Sequence, residues 1–247
     1  MTRERSISII VPAYNERENI AATLDAILKG CARLNFPYEI IVVNDASHDL
    51  TGEIAESYAN KHRQIRVLQN PSNLGFGGSY RQGVLAAKMN YVVLVCGDDS
   101  LGSQSLYEIV SRTGETDILV TYVTNPKIRN FKRRLISRTY VFLINLLFNL
   151  RLRYYNGHNV FPTRVLQNMT FTGGFAFSTQ IIVRLIKAGA THREVPLEIK
   201  DRQSGESKAF HPKSFISVGK ALFELFLEVY FSRTLMAQWT AQLKSPN

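Results

Sequence analysis

The first half of the chain alternates short apolar runs with helix-patterned segments, and that alternation restricts the fold more than any other feature. Ser6–Val11, Tyr38–Val43, Ile65–Leu68 and Tyr91–Cys96 read as strands, with Asp117–Tyr122 as a fifth. Between them, Ile20, Leu24, Ile27 and Leu28 have helical spacing, and further helices run from Asp49 to about Asn60 and from Gly75 to about Lys88. Asn15 and Glu18 have the spacing of a capping box before the first helix, and Asp49 is placed to cap the second. Apolar runs that alternate with helices build a mostly parallel sheet covered on both faces. The expected fold class is α/β.

In such a sheet, ligands bind outside the carboxyl ends of the strands. Three of these exits carry acids. They are Val11-Pro-Ala-Tyr-Asn-Glu16, Val43-Asn-Asp45 and Gly97-Asp98-Asp99. Right-handed crossovers bring all three to one edge. Acids at the exit of a buried strand are costly unless a cation or hydrogen bonds meet them, so Asp98 and Asp99 point to a metal or a phosphate–metal site. A dinucleotide-binding reading fails, because no G-x-G-x-x-G follows the first strand. The Gly-rich stretch Asn73–Gly83 follows the third strand and lacks the Gly-Lys-Ser/Thr of a P-loop. It is either a tight turn into a helix or a close backbone approach to a nucleotide.

The second half has a different character. Residues 127–153 carry eight Lys or Arg and no acid. Within them Tyr140–Leu150 is apolar apart from two asparagines, and Phe215–Trp239 forms a long apolar helix candidate with Lys220, Glu224 and Glu228 as a polar stripe. The whole chain has a net charge of +10, which implies an anionic partner. The basic-apolar segment is either a solvated face beside a core helix, a nucleic-acid surface, or a helix lying in an anionic membrane interface. Its aromatics have helical rather than base-stacking spacing, which disfavours nucleic acid, and the interfacial helix is the expectation. The Phe215–Trp239 helix either lies beside it at the membrane or packs on the main domain or a second subunit. Two cysteines within predicted elements, no signal-peptide pattern and no apolar run of ~18 residues suit a cytoplasmic protein attached peripherally to the cytoplasmic face of a membrane.

Val11-Pro-Ala-Tyr-Asn-Glu16, Val43-Asn-Asp45, Asn73-Leu-Gly75, Arg81-Gln-Gly83 and the acidic doublet resemble the nucleotide-sugar domain of family-2 glycosyltransferases of the GT-A fold. Lys132-Arg-Arg-Leu-Ile-Ser-Arg138, Tyr155-Asn-Gly157 and Arg202-Gln-Ser-Gly-Glu-Ser-Lys208 are similar to the dolichol-phosphate mannosyltransferase-like branch, which moves a sugar from a nucleotide onto a polyprenyl phosphate. The resemblance covers roughly residues 6 to 210. It implies that residues 1–122 form a nucleotide-sugar half and 123–210 an acceptor half, with 211–247 an amphipathic helical appendage. It implies donor contacts from Pro12, Tyr14, Glu16, Asp45, Asp98 and Asp99. Mg²⁺ or Mn²⁺ is expected on Asp99, with Asp98 as its neighbour. Phosphate contacts are expected from Arg133, Ser137, Arg138, Arg202, Ser207 and Lys208, with Asp99, Arg133 and Arg202 as the catalytic set.

This chain departs from the family in places. Gly97 stands where the first acid of Asp-x-Asp is usual, Leu101 where a Gln is usual, and Tyr122 falls near a position that is often Arg. Adjacent strand residues point to opposite faces, so a turn at Gly97 is expected if both acids are to face one metal. The implied reaction is inverting sugar transfer from a UDP- or GDP-sugar to a polyprenyl phosphate. Its alternatives are a family-2 transferase with another acceptor and a non-catalytic nucleotide-sugar or membrane-binding module. A hydroxyl acceptor calls for a carboxylate base, and residues 122–193 contain none. Partners beyond donor, acceptor and anionic membrane are a second copy or a membrane protein, and nucleic acid is not among them.

Overall fold

The computed structural model describes residues 4–128, 130–174, 176–200 and 212–244. Seven strands form one sheet: β1 (Ile7–Ala13), β2 (Tyr38–Asn44), β3 (Ile65–Gln69), β4 (Tyr91–Leu94), β5 (Ile118–Val123), β6 (Val160–Pro162) and β7 (His192–Leu197). Their order is β3-β2-β1-β4-β6-β5-β7. β1 pairs in parallel with β2 and β4, and β5 in parallel with β7. β6 runs antiparallel to both β4 and β5. Six strands therefore share a direction, and their carboxyl ends lie on one edge.

Every residue of β1 is buried, which is why it reads as an unbroken apolar run rather than an alternation. Successive side chains still point to opposite faces. Ile9, Val11, Ile40, Val42 and Val93 join one core with α1 (Ile20–Cys31), α2 (Thr51–Lys61) and α4 (Ser103–Val110). Ile10, Ile41, Val43, Val92 and Leu94 join the other. That second core takes side chains from α3 (Gly75–Ala86), α5 (Phe131–Phe148), α6 (Thr163–Gln167), α7 (Phe177–Lys187), α8 (Pro212–Phe231) and α9 (Arg233–Lys244).

Three parts of the sequence-based outline change. β4 stops at Leu94 instead of Cys96, so the acidic doublet lies wholly in a loop. The single helix expected over Phe215–Trp239 is two, separated at Ser232. Glu228 leaves the expected solvent stripe. Its carboxylate accepts from Arg184 Nε (2.9 Å) and Nη2 (2.7 Å) and from Trp239 Nε1 (3.2 Å), fastening α8 and α9 to α7. A largely covered carboxylate with that many donors is satisfied rather than stranded.

Candidate active site

The loops after β1 and β2 are stitched together. Asn15 sits at a left-handed φ of 56°. Its N–H donates to Ser47 Oγ (3.0 Å) and its Oδ1 accepts from the His48 N–H (2.9 Å). The Glu16 N–H donates to Thr51 Oγ1 (2.8 Å), and the Arg17 N–H to Asp49 Oδ2 (3.2 Å). The expected capping box does not form. α1 begins at Ile20 behind Asn19, with no side-chain cap, because Asn15 spends its amide on the neighbouring loop. Asp49 also accepts from the Thr51 N–H (3.0 Å) and hydroxyl. Burial raises its pKa, but the Thr51 and Arg17 donors outweigh burial and hold the carboxyl below the usual range. Pro12 is buried inside β1, while Tyr14 is half-buried with its ring edge-on to His48 at 6.4 Å. Glu16 Oε2 accepts from Asn19 Nδ2 (2.7 Å).

Asp45 is buried beneath these loops. Its carboxylate accepts from Asn70 Nδ2 (2.8 Å), the Leu74 N–H (2.8 Å) and the Gly75 N–H (3.0 Å). Those bonds fill three of its roughly four acceptor positions and fix the Gly-rich turn. The close approach that this turn makes is to the chain itself: the Gly77 N–H donates to the Gly173 carbonyl (3.0 Å), and a Cβ on Gly77 would lie 2.8 Å from that carbonyl.

The β4 loop bends over residues 97–99, so the turn expected at Gly97 is present, and within it Asp99 takes a left-handed φ of 50°. Its N–H donates to Thr23 Oγ1 on α1 (2.9 Å). Asp98 Oδ1 accepts from the Ser100 N–H (3.2 Å). Gly97 is packed so closely that a Cβ there would lie 3.2 Å from the Pro12 carbonyl and 3.3 Å from Ala13 Cβ. The position has little room for the acid that Asp-x-Asp would place there. Lys200, just past β7, sets its Nζ 3.3 Å from Asp99 Oδ1 and donates its backbone N–H to the Ser100 carbonyl (2.9 Å). His158 Nδ1 lies 2.9 Å from the Leu94 carbonyl at the end of β4.

A second feature opens at the β5 end of the same edge. Asn130 caps α5 by accepting from the Arg133 N–H (2.8 Å). Arg133, Ser137 and Arg138 then line a cavity of about 490 Å³, together with Arg134 and Arg153. No carboxylate is among its lining residues. Val141 and Phe142 form its apolar end, and Phe142 is also 64% exposed. From there an apolar stripe continues outward along α5 through Leu146, with Leu135 and Phe131 toward the other end. The Tyr230 hydroxyl on α8 donates to the Leu147 carbonyl (3.0 Å), so the exposed Phe223 and Phe231 belong to a helix beside this stripe. Arg202, Ser207 and Lys208 lie outside the described residues. Lys200, Thr23 and Arg153 were not singled out from sequence. Arg153 falls inside the acid-free basic run, which signals the segment but not the position.

The donor set of the β4 loop fits a hard divalent cation. It offers the carboxylate oxygens of Asp98 and Asp99, the second a nearly buried acid that pairs with the Lys200 ammonium at 3.3 Å. Among the described residues no group of three or more His, Cys, Asp or Glu gathers to form a protein-only metal cage. A cation here would be held by one or two protein carboxylates, with its other positions left to substrate oxygens.

This topology is the GT-A fold. The profile described as Glycosyl transferase family 2 matches residues 8–173. The chain belongs to that family. It is similar to dolichyl-phosphate beta-glucosyltransferases of Trichomonas vaginalis (44% identical over 96 residues, 37% of this chain and 28% of the relative) and Drosophila melanogaster (43% over 89 residues, 33% and 27%). The matches thus span less than a third of those relatives' length. Glucosyl-3-phosphoglycerate synthase from Mycobacterium tuberculosis, solved with Mn²⁺, uridine diphosphate and glucosyl-3-phosphoglycerate, superimposes with a TM-score of 0.68 at 17% identity. The superposition covers 91% of this chain and 80% of that one, and the likeness is one of fold.

Proposed function

We propose that the chain transfers a sugar from a UDP- or GDP-sugar to a polyprenyl phosphate at the cytoplasmic face of a membrane, with inversion. Residues 1–122 hold the donor and 123–210 the acceptor. The observation that carries this reading is the arginine-lined, carboxylate-free cavity that opens onto the exposed apolar stripe of α5. That is the shape of a receptor for a phosphate on an apolar chain. The relatives named for dolichyl-phosphate glucosyl transfer support the same acceptor class.

Tyr14, Glu16 and Asp45 contact the base and ribose, with Pro12 supporting them from inside β1. Asp99, with Asp98 beside it, would hold Mg²⁺ or Mn²⁺, which would supply positive charge to offset that of the leaving nucleoside diphosphate. Arg133, Ser137 and Arg138 orient the acceptor phosphate, joined by Arg202, Ser207 and Lys208. A phosphate oxygen attacks the anomeric carbon, and the bonding pair to the diphosphate leaves with the nucleotide. The acceptor needs no carboxylate base, since its second pKa of about 6 leaves it largely dianionic at neutral pH. No described helix is long and apolar enough to cross a membrane. The α5–α8 face instead lies in the interface, where each nearby Lys or Arg adds about 1 kcal/mol toward an anionic surface.

A thermal-shift panel of UDP- and GDP-sugars with Mn²⁺, run on wild type and Asp99→Ala, tests the donor side. One nucleotide series stabilises the wild type, and the Mn²⁺-dependent part is lost in the variant. Equal Mn²⁺-dependent shifts in both proteins refute the metal assignment.

A further inference from the structure

Arg153 lines the cavity from the chain between α5 and β6, its side chain 62% exposed, and three contacts place the residue there. Its guanidinium carbon lies 4.4 Å from the centroid of the Tyr122 ring, near the end of β5. Its backbone N–H donates to Glu194 Oε1 on β7 (2.7 Å), and its Nε lies 3.7 Å from Glu194 Oε2. A guanidinium held over a ring by cation–π attraction and near Glu194 only at Nε keeps its terminal N–H donors for an anion. Glu194 does not line the cavity and holds Arg153 from outside it. Arg134 lines the same space, and its Nε is sealed from solvent with no hydrogen-bond partner among the described residues. A buried donor left unpaired costs about 1–3 kcal/mol. The other guanidinium groups of the lining add like-charge repulsion that Glu194, paired with Arg153, offsets in part. An anion with several acceptor oxygens relieves both.

We infer that Arg153 is a specificity-determining residue that binds the acceptor's phosphomonoester, with Arg134 as a second donor in the same cavity and Glu194 and Tyr122 as positioning residues. This rests on the proposed transfer to a lipid phosphate. It adds that phosphate recognition depends on a guanidinium delivered by tertiary stacking, outside the Arg133–Arg138 segment.

The test uses the full chain with a nucleotide-sugar donor and a short-chain, soluble prenyl monophosphate. Arg153→Ala raises the acceptor KM about tenfold to 100-fold, the loss expected for hydrogen bonds to a charged group, while the donor KM moves less than twofold. Arg153→Lys recovers part of that loss, and Glu194→Gln, which frees the guanidinium from its anchor, gives a smaller rise in the same parameter. An acceptor KM unchanged in Arg153→Ala, or a donor KM raised equally, overturns the assignment. A wild type inert toward prenyl phosphates overturns the underlying reading instead. In that case NMR titration with the same prenyl monophosphate decides on Arg153 separately: binding lost in Arg153→Ala upholds the site, and binding retained refutes it.

Discussion

Replacing Glu228 by alanine separates packing from charge at the junction that holds α8 and α9. The Glu228 carboxylate takes three hydrogen bonds, at 2.9 and 2.7 Å from Arg184 and 3.2 Å from Trp239. The two charged side chains are 9% and 13% exposed. Without Glu228, the Arg184 guanidinium keeps only its bond to the Thr170 carbonyl (2.6 Å) among the contacts described. Removing one partner of a buried pair costs about 3–5 kcal/mol. For a domain of this size that lowers Tm by about 6–20 °C. Glu228→Gln keeps the shape but turns an amide N–H toward an arginine donor, and it loses less. The double replacement Arg184→Met/Glu228→Met removes both charges, and buried pairs replaced by packed apolar side chains are often as stable or more so. Differential scanning calorimetry on the four proteins reads the series directly. A shift under about 3 °C for Glu228→Ala, or a double variant no more stable than the single, refutes the view that this pair closes a desolvated junction.

Restoring an acid at Gly97 is expected to harm the protein. Gly97→Asp drives a Cβ toward the Pro12 carbonyl and Ala13, and chemical denaturation should show a loss of about 1–3 kcal/mol, the usual cost of overpacking; an unchanged midpoint contradicts that crowding. Asp49 titrates below the ordinary carboxylate range in the folded chain, so its contribution is complete above the unfolded-chain value and disappears as pH falls through the lower folded one. Asp49→Asn should therefore flatten the acid limb of the stability–pH curve, and a limb of unchanged slope removes Asp49 from the account. Phe142→Ser/Leu146→Ser should weaken flotation with anionic liposomes with no loss of thermal stability, since both side chains are more than 60% exposed; undiminished flotation moves the membrane face elsewhere.

The parallel half of the sheet was legible because β1, β2 and β4 are buried on both faces and appear as apolar runs with polar exits. β6 was not, since three residues carry no periodicity. β7 was not either. It is an edge strand, His-Arg-Glu-Val-Pro-Leu, whose exposed side is polar and whose Pro196 is tolerated only where a ladder bond can be missing. At the site, the acids at strand exits followed from topology alone. Local signals misled where a side chain had a distant partner. Asn15 looked like a helix cap and instead joins two loops, and Glu228 looked solvated and instead meets Arg184. Lys200 beside Asp99 and Arg153 over Tyr122 are placed by long-range packing, which no spacing in the sequence encodes.

The most direct test of the account is the product formed from a nucleotide-sugar and a prenyl monophosphate in the presence of Mn²⁺, read by NMR at the anomeric position. The account predicts a glycosyl phosphate whose anomeric configuration is opposite to that of the donor, with no product when the phosphate is replaced by the free alcohol. Retention of configuration, or equal transfer to the alcohol, contradicts it.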